Sequence, residues 1–307
     1  MTPKKSSNAV VFGGSGFLGS YVVAELLERG WQVRVADLEE PPKELGNVNY
    51  VPCDLREKRT LDKVIPDNTD AVYNFAGMSD LDEAINQPLL TMELNVLGNL
   101  HLLEVCRKQN VKHFVYASSA YACSESGSFY GISKLSSEKI VEEYQNRYGL
   151  DYTIIRYGSL YGERADRHNG VYRLLRQALE KGEIIHRGDG EEVREYIHAK
   201  DAAKLSADIL MENEYKNKHI MVTGLERLKQ KDLLKMIQEM SPLQVSIKMS
   251  EKHYTGHYEV TPYSFHPRVA RKLVANPYID LGQGLVECMR KVHHDLSLNN
   301  DDDKTND

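Results

Sequence analysis

The stretch Gly13-Gly14-Ser15-Gly16-Phe17-Leu18-Gly19 decides the fold. It follows a short apolar run, Asn8 to Phe12, and precedes a segment, Phe17 to Arg29, in which apolar residues recur at helical spacing. In a strand–turn–helix of this kind the first glycines permit the reversal, Gly16 lets the backbone approach phosphates, and Gly19 lets the helix pack on the strand. The helix N-terminus presents free N–H groups and a positive dipole end to an anion. The pattern predicts a dinucleotide pyrophosphate site, and the alternative is an ordinary turn with spare glycines.

An acidic residue follows the next strand. Trp31 to Ala36 is predicted to be that strand, and Asp37 lies at its end, eighteen residues beyond Gly19. An acidic residue about 20 residues after the turn binds the ribose diol of a dinucleotide. Its carboxylate repels the extra phosphate of NADP, and Leu38-Glu39-Glu40 offers no arginine to receive one. The sequence therefore predicts NAD as the cofactor, although a solvated carboxylate at a strand end is the alternative.

Composition and charge exclude several classes of protein. Of the 307 residues 41% are hydrophobic, and the net charge of −6 argues against a broad nucleic-acid surface. There is no apolar run of bilayer length, and Met1 to Lys5 lacks the apolar core of a signal peptide. We therefore expect a soluble, cytoplasmic protein without nucleic-acid or membrane partners. The scattered cysteines predict buried free thiols rather than disulfides or a metal site; they are Cys53, Cys106, Cys123 and Cys288.

Strand-like and helical segments alternate along the chain. Alternation of this kind is typical of parallel strands joined by crossover helices, and it predicts an α/β fold with a Rossmann-type doubly wound parallel sheet. The long segment Thr91 to Gln109 is predicted to be one helix. The further predicted strands are Val48 to Pro52, Ala71 to Ala76, His113 to Ser118 and Tyr152 to Tyr157.

Tyr130 and Lys134 are the candidate catalytic pair. They lie four residues apart in a predicted helix, Gly127 to Tyr148, that follows the strand ending at Ser119, so their side chains can meet on one helix face. A phenol with a pKa near 10 is a poor base, but a nearby ammonium and a positive nicotinamide ring both favour its phenolate. Such a tyrosine can exchange a proton with a substrate hydroxyl while hydride passes between the adjacent carbon and the cofactor. A surface tyrosine and lysine at helical spacing is the alternative.

With these motifs the chain, from about Asn8 to about Arg290, resembles the extended short-chain dehydrogenase/reductase family, in particular its nucleotide-sugar epimerases, dehydratases and decarboxylases. The resemblance implies that Ser119 hydrogen-bonds the reacting hydroxyl and that Asp54 and Leu55 hold the adenine. The catalytic set that it implies is Ser119, Tyr130 and Lys134. The implied NAD-binding set is Gly13, Gly16, Phe17, Leu18, Gly19, Asp37, Asp54, Leu55, Phe75, Ala76, Gly77, Asn95, Ser118, Tyr130, Lys134 and Tyr157.

A second block, Gly188 to Asp201, resembles the substrate-domain signature of nucleotide-sugar 4-epimerases. The resemblance implies that Arg194 grips a diphosphate, which suits a guanidinium that donates two parallel hydrogen bonds. The alternative is a salt bridge from Arg194 to Glu191 or Glu195. The predicted substrate-binding set is Ser79, Ser119, Ser159 and Arg194.

Two polar residues close that second block. We interpret His198 as hydrogen-bonded scaffold, because a single histidine at a strand-to-helix junction is more often structural than catalytic. Asp201 is predicted to be the N-cap of a helix from Ala202 to Met211.

The residues after Ser119 bear on the reaction. Dehydratases of the family place an Asp-Glu pair there and decarboxylases a glutamate, whereas this chain has Ala120 and Tyr121, and Cys123 lies several positions late for the related cysteine-dependent epimerases. The resemblance therefore favours an NAD-dependent 4-epimerase acting on a nucleotide-diphosphate sugar through a transient keto intermediate. One alternative is a 4-keto-sugar reductase, and a decarboxylase or dehydratase is less favoured. The non-enzymatic alternative is an NAD-binding scaffold or sensor.

The resemblance also implies a division of the chain. Residues 8–163 and 193–223 are predicted to form the NAD-binding domain, and residues 164–192 and 224–296 a smaller, discontinuous substrate domain. Residues 297–307 are predicted to be a disordered acidic tail because they are too polar to pack. Relatives often dimerise through the helices that correspond to Thr91 to Gln109 and Tyr130 to Tyr148, so we expect a homodimer.

Overall fold

The strands and helices alternate through most of the chain. The computed structural model describes residues 7–250, 258–261 and 270–304. Its strands are β1 (Asn8–Phe12), β2 (Gln32–Asp37), β3 (Asn49–Pro52), β4 (Ala71–Asn74), β5 (His113–Ser119), β6 (Asp151–Tyr157), β7 (Ser159–Tyr161), β8 (Glu183–Arg187), β9 (Val193–Arg194), β10 (Tyr196–His198), β11 (Lys218–Val222), β12 (Leu228–Lys229), β13 (Ser246–Ser250) and β14 (Arg271–Leu273). Its α-helices are α1 (Phe17–Glu28), α2 (Lys58–Val64), α3 (Leu81–Asn86), α4 (Pro88–Met92), α5 (Asn99–Lys108), α6 (Ser128–Tyr148), α7 (Gly170–Lys181), α8 (Ala199–Asp208), α9 (Gln230–Met240) and α10 (Leu281–Lys304).

One parallel sheet organises the molecule. Its strand order is β14, β11, β6, β5, β4, β1, β2, β3, and each neighbouring pair is parallel. The order reverses between β1 and β4, and in doubly wound sheets ligands bind beyond the carboxyl ends of the strands at such a switch point. The predicted doubly wound α/β sheet is therefore confirmed. β14 lies in the range that the sequence analysis assigns to the substrate domain, yet it extends this sheet beside β11.

Burial on both faces of the sheet explains its apolar strands. In β1, Ala9 and Val11 pack into the core beneath α1 and α8, whereas Val10 and Phe12 pack into the core beneath α2, α5 and α6. This alternation follows from the two-residue period of a strand. A third apolar core joins α7, α9 and α10.

Two predicted segments differ from the observed helices. The segment predicted as one helix, Thr91 to Gln109, is helical from α4 through α5 but contains a π-helical stretch, Glu93–Gly98. The final helix, α10, continues to Lys304 through much of the segment 297–307 for which the sequence analysis predicts disorder. Residues 305–307 of that segment lie outside the described residues.

The four cysteines are unpaired, and the helices were compared with the length and polarity that a membrane span requires. Cys53, Cys106 and Cys288 are buried free thiols and Cys123 is a half-buried one, which confirms the expectation of unpaired cysteines. In the part of the chain that the structure describes, each helix is too short or too polar to cross a lipid bilayer.

Candidate active site

A cleft of about 1720 Å³ opens at the carboxyl edge of the main sheet. A pocket for one small ligand usually measures roughly 300–1,000 Å³, so this cleft has room for more than one ligand. It is lined by most of the residues predicted to bind cofactor or substrate: Gly13, Gly16, Phe17, Leu18, Gly19, Asp37, Asp54, Leu55, Phe75, Ala76, Gly77, Ser79, Ser118, Ser119, Tyr130, Lys134, Tyr157, Ser159 and Arg194.

The glycine turn forms one wall of the cleft. Gly13 has a φ of +73°, which favours glycine, and a Cβ there would lie 2.5 Å from the Ala76 backbone nitrogen. At Gly19 a Cβ would lie 2.0 Å from the Gly13 carbonyl oxygen. Helix α1 begins directly after Gly16, so its free N–H groups face the same space. The turn is therefore compact because its glycines lack side chains, which leaves room for a pyrophosphate against the backbone.

Asp37 lies at the end of β2, beside the turn. Its Oδ2 atom accepts a hydrogen bond of 2.9 Å from the Ser15 backbone nitrogen, and its Oδ1 atom accepts one of 3.3 Å from the Glu39 backbone nitrogen. Both bonds orient the carboxylate at the rim of the cleft. The next side chain, Leu38, is exposed and offers no charge to a ribose phosphate.

Helix α6 brings Tyr130 and Lys134 into the cleft. The helix begins after Gly127, whose φ of +106° suits glycine at the sharp entry. The Lys134 ammonium lies 5.8 Å from the centre of the Tyr130 ring and donates a 2.9 Å hydrogen bond to the Ala117 carbonyl oxygen. The exposed fractions of Tyr130 and Lys134 are 9% and 6%. The predicted proximity of the two side chains is therefore observed, and they do not form a surface pair.

Burial shifts the pKa values of both groups. It raises the pKa of Tyr130 to about 12, against which a hydrogen bond with the Ser119 side chain acts. Burial lowers the pKa of Lys134 to about 8, while the negative charge of Glu138 raises it. At neutral pH Tyr130 is thus a neutral phenol beside a protonated Lys134. A further positive charge near the phenol oxygen favours its ionisation.

Arg194 lies on the opposite wall. Its guanidinium stacks on the Tyr258 ring at 4.3 Å from the centroid, and its Nη1 atom donates a 2.6 Å hydrogen bond to the Tyr258 carbonyl oxygen. The alternative of a salt bridge from Arg194 to a neighbouring glutamate is not observed: Glu191 pairs with Lys229 at 2.7 Å and Glu195 with Lys272 at 2.8 Å. The arginine is held by stacking and faces the cleft.

The sequence that builds this site matches a known family. Residues 9–224, well over half of the 307 residues, match the model of the NAD dependent epimerase/dehydratase family. The chain belongs to this family. The matched range contains the glycine turn, Ser119, Tyr130, Lys134 and Arg194, and the resemblance to the extended short-chain dehydrogenases is confirmed.

Individual relatives of the NAD dependent epimerase/dehydratase family give the extent of the similarity. The UDP-glucose 4-epimerase of Halalkalibacterium halodurans is 30% identical over 226 residues, 63% of this chain and 68% of that protein. That of Schizosaccharomyces pombe is 29% identical over 250 residues, 66% of this chain and 70% of that protein. The crystal structure of the Thermus thermophilus UDP-glucose 4-epimerase in complex with NAD is 25% identical with a TM-score of 0.78, covering 93% of this chain and 99% of that chain.

NAD is the cofactor of this family member, and the residues of the cleft fit it. Backbone atoms occupy the space where a Cβ of Gly13 or Gly19 would lie, so these glycines let the turn pack tightly beneath the N-terminus of α1, which can bind a pyrophosphate. The carboxylate of Asp37 suits a ribose diol and disfavours an added phosphate. These observations agree with the NAD preference predicted from the sequence.

Asn95 lies behind the cleft rather than in its lining. It is buried in the π-helical stretch, where its Oδ1 atom accepts a 2.7 Å hydrogen bond from the Met78 backbone nitrogen. Its Nδ2 atom donates to the Met78 carbonyl oxygen at 3.0 Å and to the Ser133 hydroxyl at 2.9 Å. The amide therefore fixes the loop after β4 against α6, and the membership of Asn95 in the NAD-binding set stays a prediction.

Asp54 and Leu55 follow β3 at the cofactor end of the cleft. Arg56 donates to the Asp54 carboxylate through Nε at 3.0 Å and Nη2 at 2.6 Å, and these hydrogen bonds lower the pKa of Asp54. Leu55 is buried against Gly98, where a Cβ would lie 3.0 Å from the Leu55 Cβ. Both residues line the cleft, and their contact with the adenine of NAD stays a prediction.

The N-cap of α8 corrects one prediction. The helix begins at Ala199, three residues before the predicted start, and His198 is the N-cap, with its Nδ1 atom accepting a hydrogen bond from the Lys200 backbone nitrogen at 3.1 Å. Asp201 lies inside the first turn and instead accepts a 2.7 Å hydrogen bond from the Ile279 backbone nitrogen. The prediction of Asp201 as N-cap was wrong, whereas the structural interpretation of His198 is confirmed. The histidine takes the cap because the strand β10 ends at this residue.

Sequence reasoning missed an aromatic wall of the cleft. The Tyr121 ring lies 4.6 Å from that of Tyr258 and 6.0 Å from that of Tyr130, centroid to centroid. Burial raises the pKa of Tyr258, while the positive charge of Arg194 and a hydrogen bond with the Ser159 side chain act against it. The wall connects Arg194 to the candidate catalytic tyrosine. Tyr258 is distant in sequence from Tyr121 and Tyr130 and shares no motif with them, so only the folded chain reveals the contact.

A second missed contact spans the mouth of the cleft. Arg173 on α7 forms a 3.2 Å ion pair with Asp80, which caps α3 on the other side. One arginine of α7 is therefore paired across the cleft. Arg176, on the same helix, pairs with Glu180 at 3.1 Å.

Proposed function

We propose that this protein catalyses the NAD-dependent epimerisation of a nucleotide-diphosphate sugar at C4 through a transient keto intermediate. The observation that carries the proposal is the buried set of Ser119, Tyr130 and Lys134 at the carboxyl edge of the sheet, in a cleft with room for a cofactor and a second ligand. The similarity to UDP-glucose 4-epimerases supports the same reaction.

Three side chains share the proton chemistry of the proposed reaction. In its ionised form, the phenolate oxygen of Tyr130 accepts the proton of the sugar C4 hydroxyl and later returns it. Ser119 hydrogen-bonds to Tyr130 and holds the same sugar hydroxyl in line. The ammonium of Lys134 stabilises the phenolate through its positive charge. Bound NAD supplies the hydride acceptor for C4 and then the hydride donor on the opposite face of the sugar.

The positions after Ser119 support epimerisation over elimination or decarboxylation. Neither Ala120, which is buried, nor Tyr121, which contributes an aromatic ring, has a carboxylate for a further proton transfer. Reversible oxidation at one carbon needs only the tyrosine, the lysine and the cofactor.

The remaining residues divide between the two ligands. We assign NAD binding to residues 8–163 and 193–223 and substrate binding to residues 164–192 and 224–296, except that β14 belongs to the sheet. Ser79, Ser159 and Arg194 belong to the NAD-binding ranges but line the same cleft, and we assign them to contacts with the nucleotide sugar. We also propose a cytoplasmic location, which the four unpaired thiols support. Cell fractionation tests this location.

The proposed function is tested by incubating the purified protein with UDP-, GDP-, CDP- and dTDP-sugars. We expect NMR spectra to develop new anomeric signals for the 4-epimer of one of them, without net change in NADH absorbance. Stoichiometric consumption of NADH with a keto sugar indicates a reductase instead. Retention of bound NAD with no conversion of any nucleotide sugar indicates a scaffold or sensor.

Replacing Arg194 with methionine should weaken substrate binding. Hydrogen bonds between charged groups contribute about 1.5–3 kcal/mol, so we expect KM to rise roughly 10- to 100-fold with a smaller change in kcat. The matched control is Arg176→Met, because Arg176 lies on the solvent side of α7 and pairs with Glu180. Equal KM values for the two variants would contradict the assignment of Arg194.

Exposed apolar side chains support the proposed homodimer. Leu97, Ile132 and Leu135 are exposed on the π-helical stretch and on α6, which pack side by side. We expect light scattering to give about twice the 35.0 kDa chain mass and the Ile132→Glu variant to give a monomer. Leu243→Glu, at an exposed leucine after α9, is the control that should stay dimeric. A monomeric native protein contradicts the proposal.

A further inference from the structure

Glu138 is a fully buried carboxylate one helical turn beyond Lys134. Its exposed fraction is 0%, and on α6 the residues Tyr130, Lys134 and Glu138 follow one another at intervals of four, which places them on one face. Burying a charge is costly unless it is paired and hydrogen-bonded, so such a residue needs an explanation.

The partners of Glu138 come from two neighbouring strands. Arg156 on β6 donates to Oε1 through Nε at 2.8 Å and to Oε2 through Nη2 at 2.6 Å. The Ser118 hydroxyl on β5 donates to Oε1 at 2.5 Å. The Nδ1 atom of His219 on β11 lies 3.7 Å from Oε2. The carboxylate therefore forms a bidentate ion pair with Arg156 and also holds the end of β5 through the Ser118 hydroxyl.

Ser118 connects this ion pair to the candidate catalytic groups. It lies between Ala117, whose carbonyl oxygen accepts the hydrogen bond of the Lys134 ammonium, and Ser119, which hydrogen-bonds Tyr130. A carboxylate that holds Ser118 thus restrains the backbone on both sides of it. The end of β5 supplies a contact to the lysine and a contact to the tyrosine from the same restrained segment.

We propose that Glu138 is a positioning residue of the active site: it fixes the end of β5 through Ser118 and is the counter-charge of the buried Lys134 ammonium. This inference rests on the proposed function for its catalytic meaning. Its electrostatic part concerns only residues of the protein and is measurable without turnover.

The groups that face Lys134 and Glu138 decide the sign of the electrostatic effect. Burial raises the pKa of Tyr116 on β5 and of Cys123 in the turn after β5, and burial lowers the pKa of His219. These three groups, like Tyr130 on α6, are uncharged at pH 7 to 8, which leaves Arg156 as the neighbouring cation. Without the charge of Glu138, the cost of burying the Lys134 ammonium is no longer offset by that carboxylate, and Lys134 loses its proton at lower pH.

The test is a titration of Lys134 in the NAD-loaded protein, read by the NMR shift of ¹³C-labelled lysine and assigned with Lys134→Met. In Glu138→Gln we expect the midpoint to fall by about one pH unit or more relative to the native protein, since a nearby opposite charge shifts a pKa by about 1–3 units. The matched control is Glu142→Gln, one turn further along α6, where the carboxylate pairs with Lys139 and His219. That control should leave the midpoint unchanged.

Turnover adds a second readout. Glu138→Gln should lower kcat more than it changes KM and move the alkaline limb of the pH profile of kcat to lower pH. Glu138→Asp, which keeps the charge, should retain the Lys134 midpoint.

An unchanged Lys134 midpoint in Glu138→Gln overturns the inference. If that variant does not fold, Arg156→Met replaces it: the midpoint should rise, and an unchanged midpoint overturns the inference equally. If the native protein converts no nucleotide sugar but the Lys134 midpoint still falls in Glu138→Gln, the proposed function is refuted. The role of Glu138 as counter-charge then still stands.

Discussion

Replacing Tyr130 with phenylalanine should lower kcat by about 10³-fold while bound NAD is retained. The variant keeps the ring that packs beside Tyr121 but removes the hydroxyl that Ser119 hydrogen-bonds. A general acid–base group contributes typically 10²–10⁴-fold, and Tyr130 is the phenol that α6 places beside Lys134 in the cleft. The measurement is turnover of the nucleotide sugar identified by NMR, with bound NAD quantified after denaturation.

The control for this prediction lies on the same helix. Tyr144→Phe removes a hydroxyl that donates to Glu104 at 2.7 Å, outside the cleft, and should leave kcat unchanged apart from a small loss of stability. If Tyr130→Phe and Tyr144→Phe turn over equally, the hydroxyl of Tyr130 takes no part in the reaction. A variant that has lost NAD as well as turnover would instead indicate damage to the cofactor site.

Replacing Gly19 with alanine should sharply weaken the binding of NAD. The added Cβ would lie 2.0 Å from the Gly13 carbonyl oxygen and 2.8 Å from its carbonyl carbon, and backbone atoms of a tight turn cannot move away. Overpacking costs typically 1–3 kcal/mol, so we expect NAD affinity to fall by roughly 10- to 100-fold. The measurement is fluorescence titration with NADH, with circular dichroism to confirm that the sheet persists.

Gly282→Ala is the control for the glycine turn. At this position in α10 the nearest atom to a new Cβ is the Asp280 carboxylate oxygen at 3.1 Å, the end of a side chain that can rotate. NAD affinity should be unchanged in this variant. If Gly19→Ala also binds NAD normally, the account of the turn as a close-fitting pyrophosphate cradle is wrong.

The parts of the site that are local in sequence could be predicted. The glycine turn, Asp37 and the Tyr130–Lys134 pair each depend on a few residues between one strand and the next helix, where turn chemistry and the helical period determine the geometry. The structure confirms the doubly wound sheet and brings these residues to one cleft.

The parts that depend on distant contacts could not be predicted. The hydrogen bonds of the Asn95 amide to the Met78 backbone, for example, join two segments that are separate in the sequence. Asp201 has good N-cap chemistry, but α8 begins at Ala199 and His198 takes the cap. Likewise the contact between Tyr121 and Tyr258 exists only after the sheet has formed, since no local pattern relates the two.

The most direct test of the central claim follows the hydrogen at the reacting carbon. The measurement is NMR of a nucleotide sugar deuterated at C4 and incubated with the NAD-loaded protein in ordinary water. Hydride transfer away from C4 and back, with Tyr130 moving only the hydroxyl proton, predicts that the 4-epimer retains its deuterium at C4. Replacement of that deuterium by solvent hydrogen during epimerisation would contradict the account, because the hydrogen at C4 would then have left as a proton.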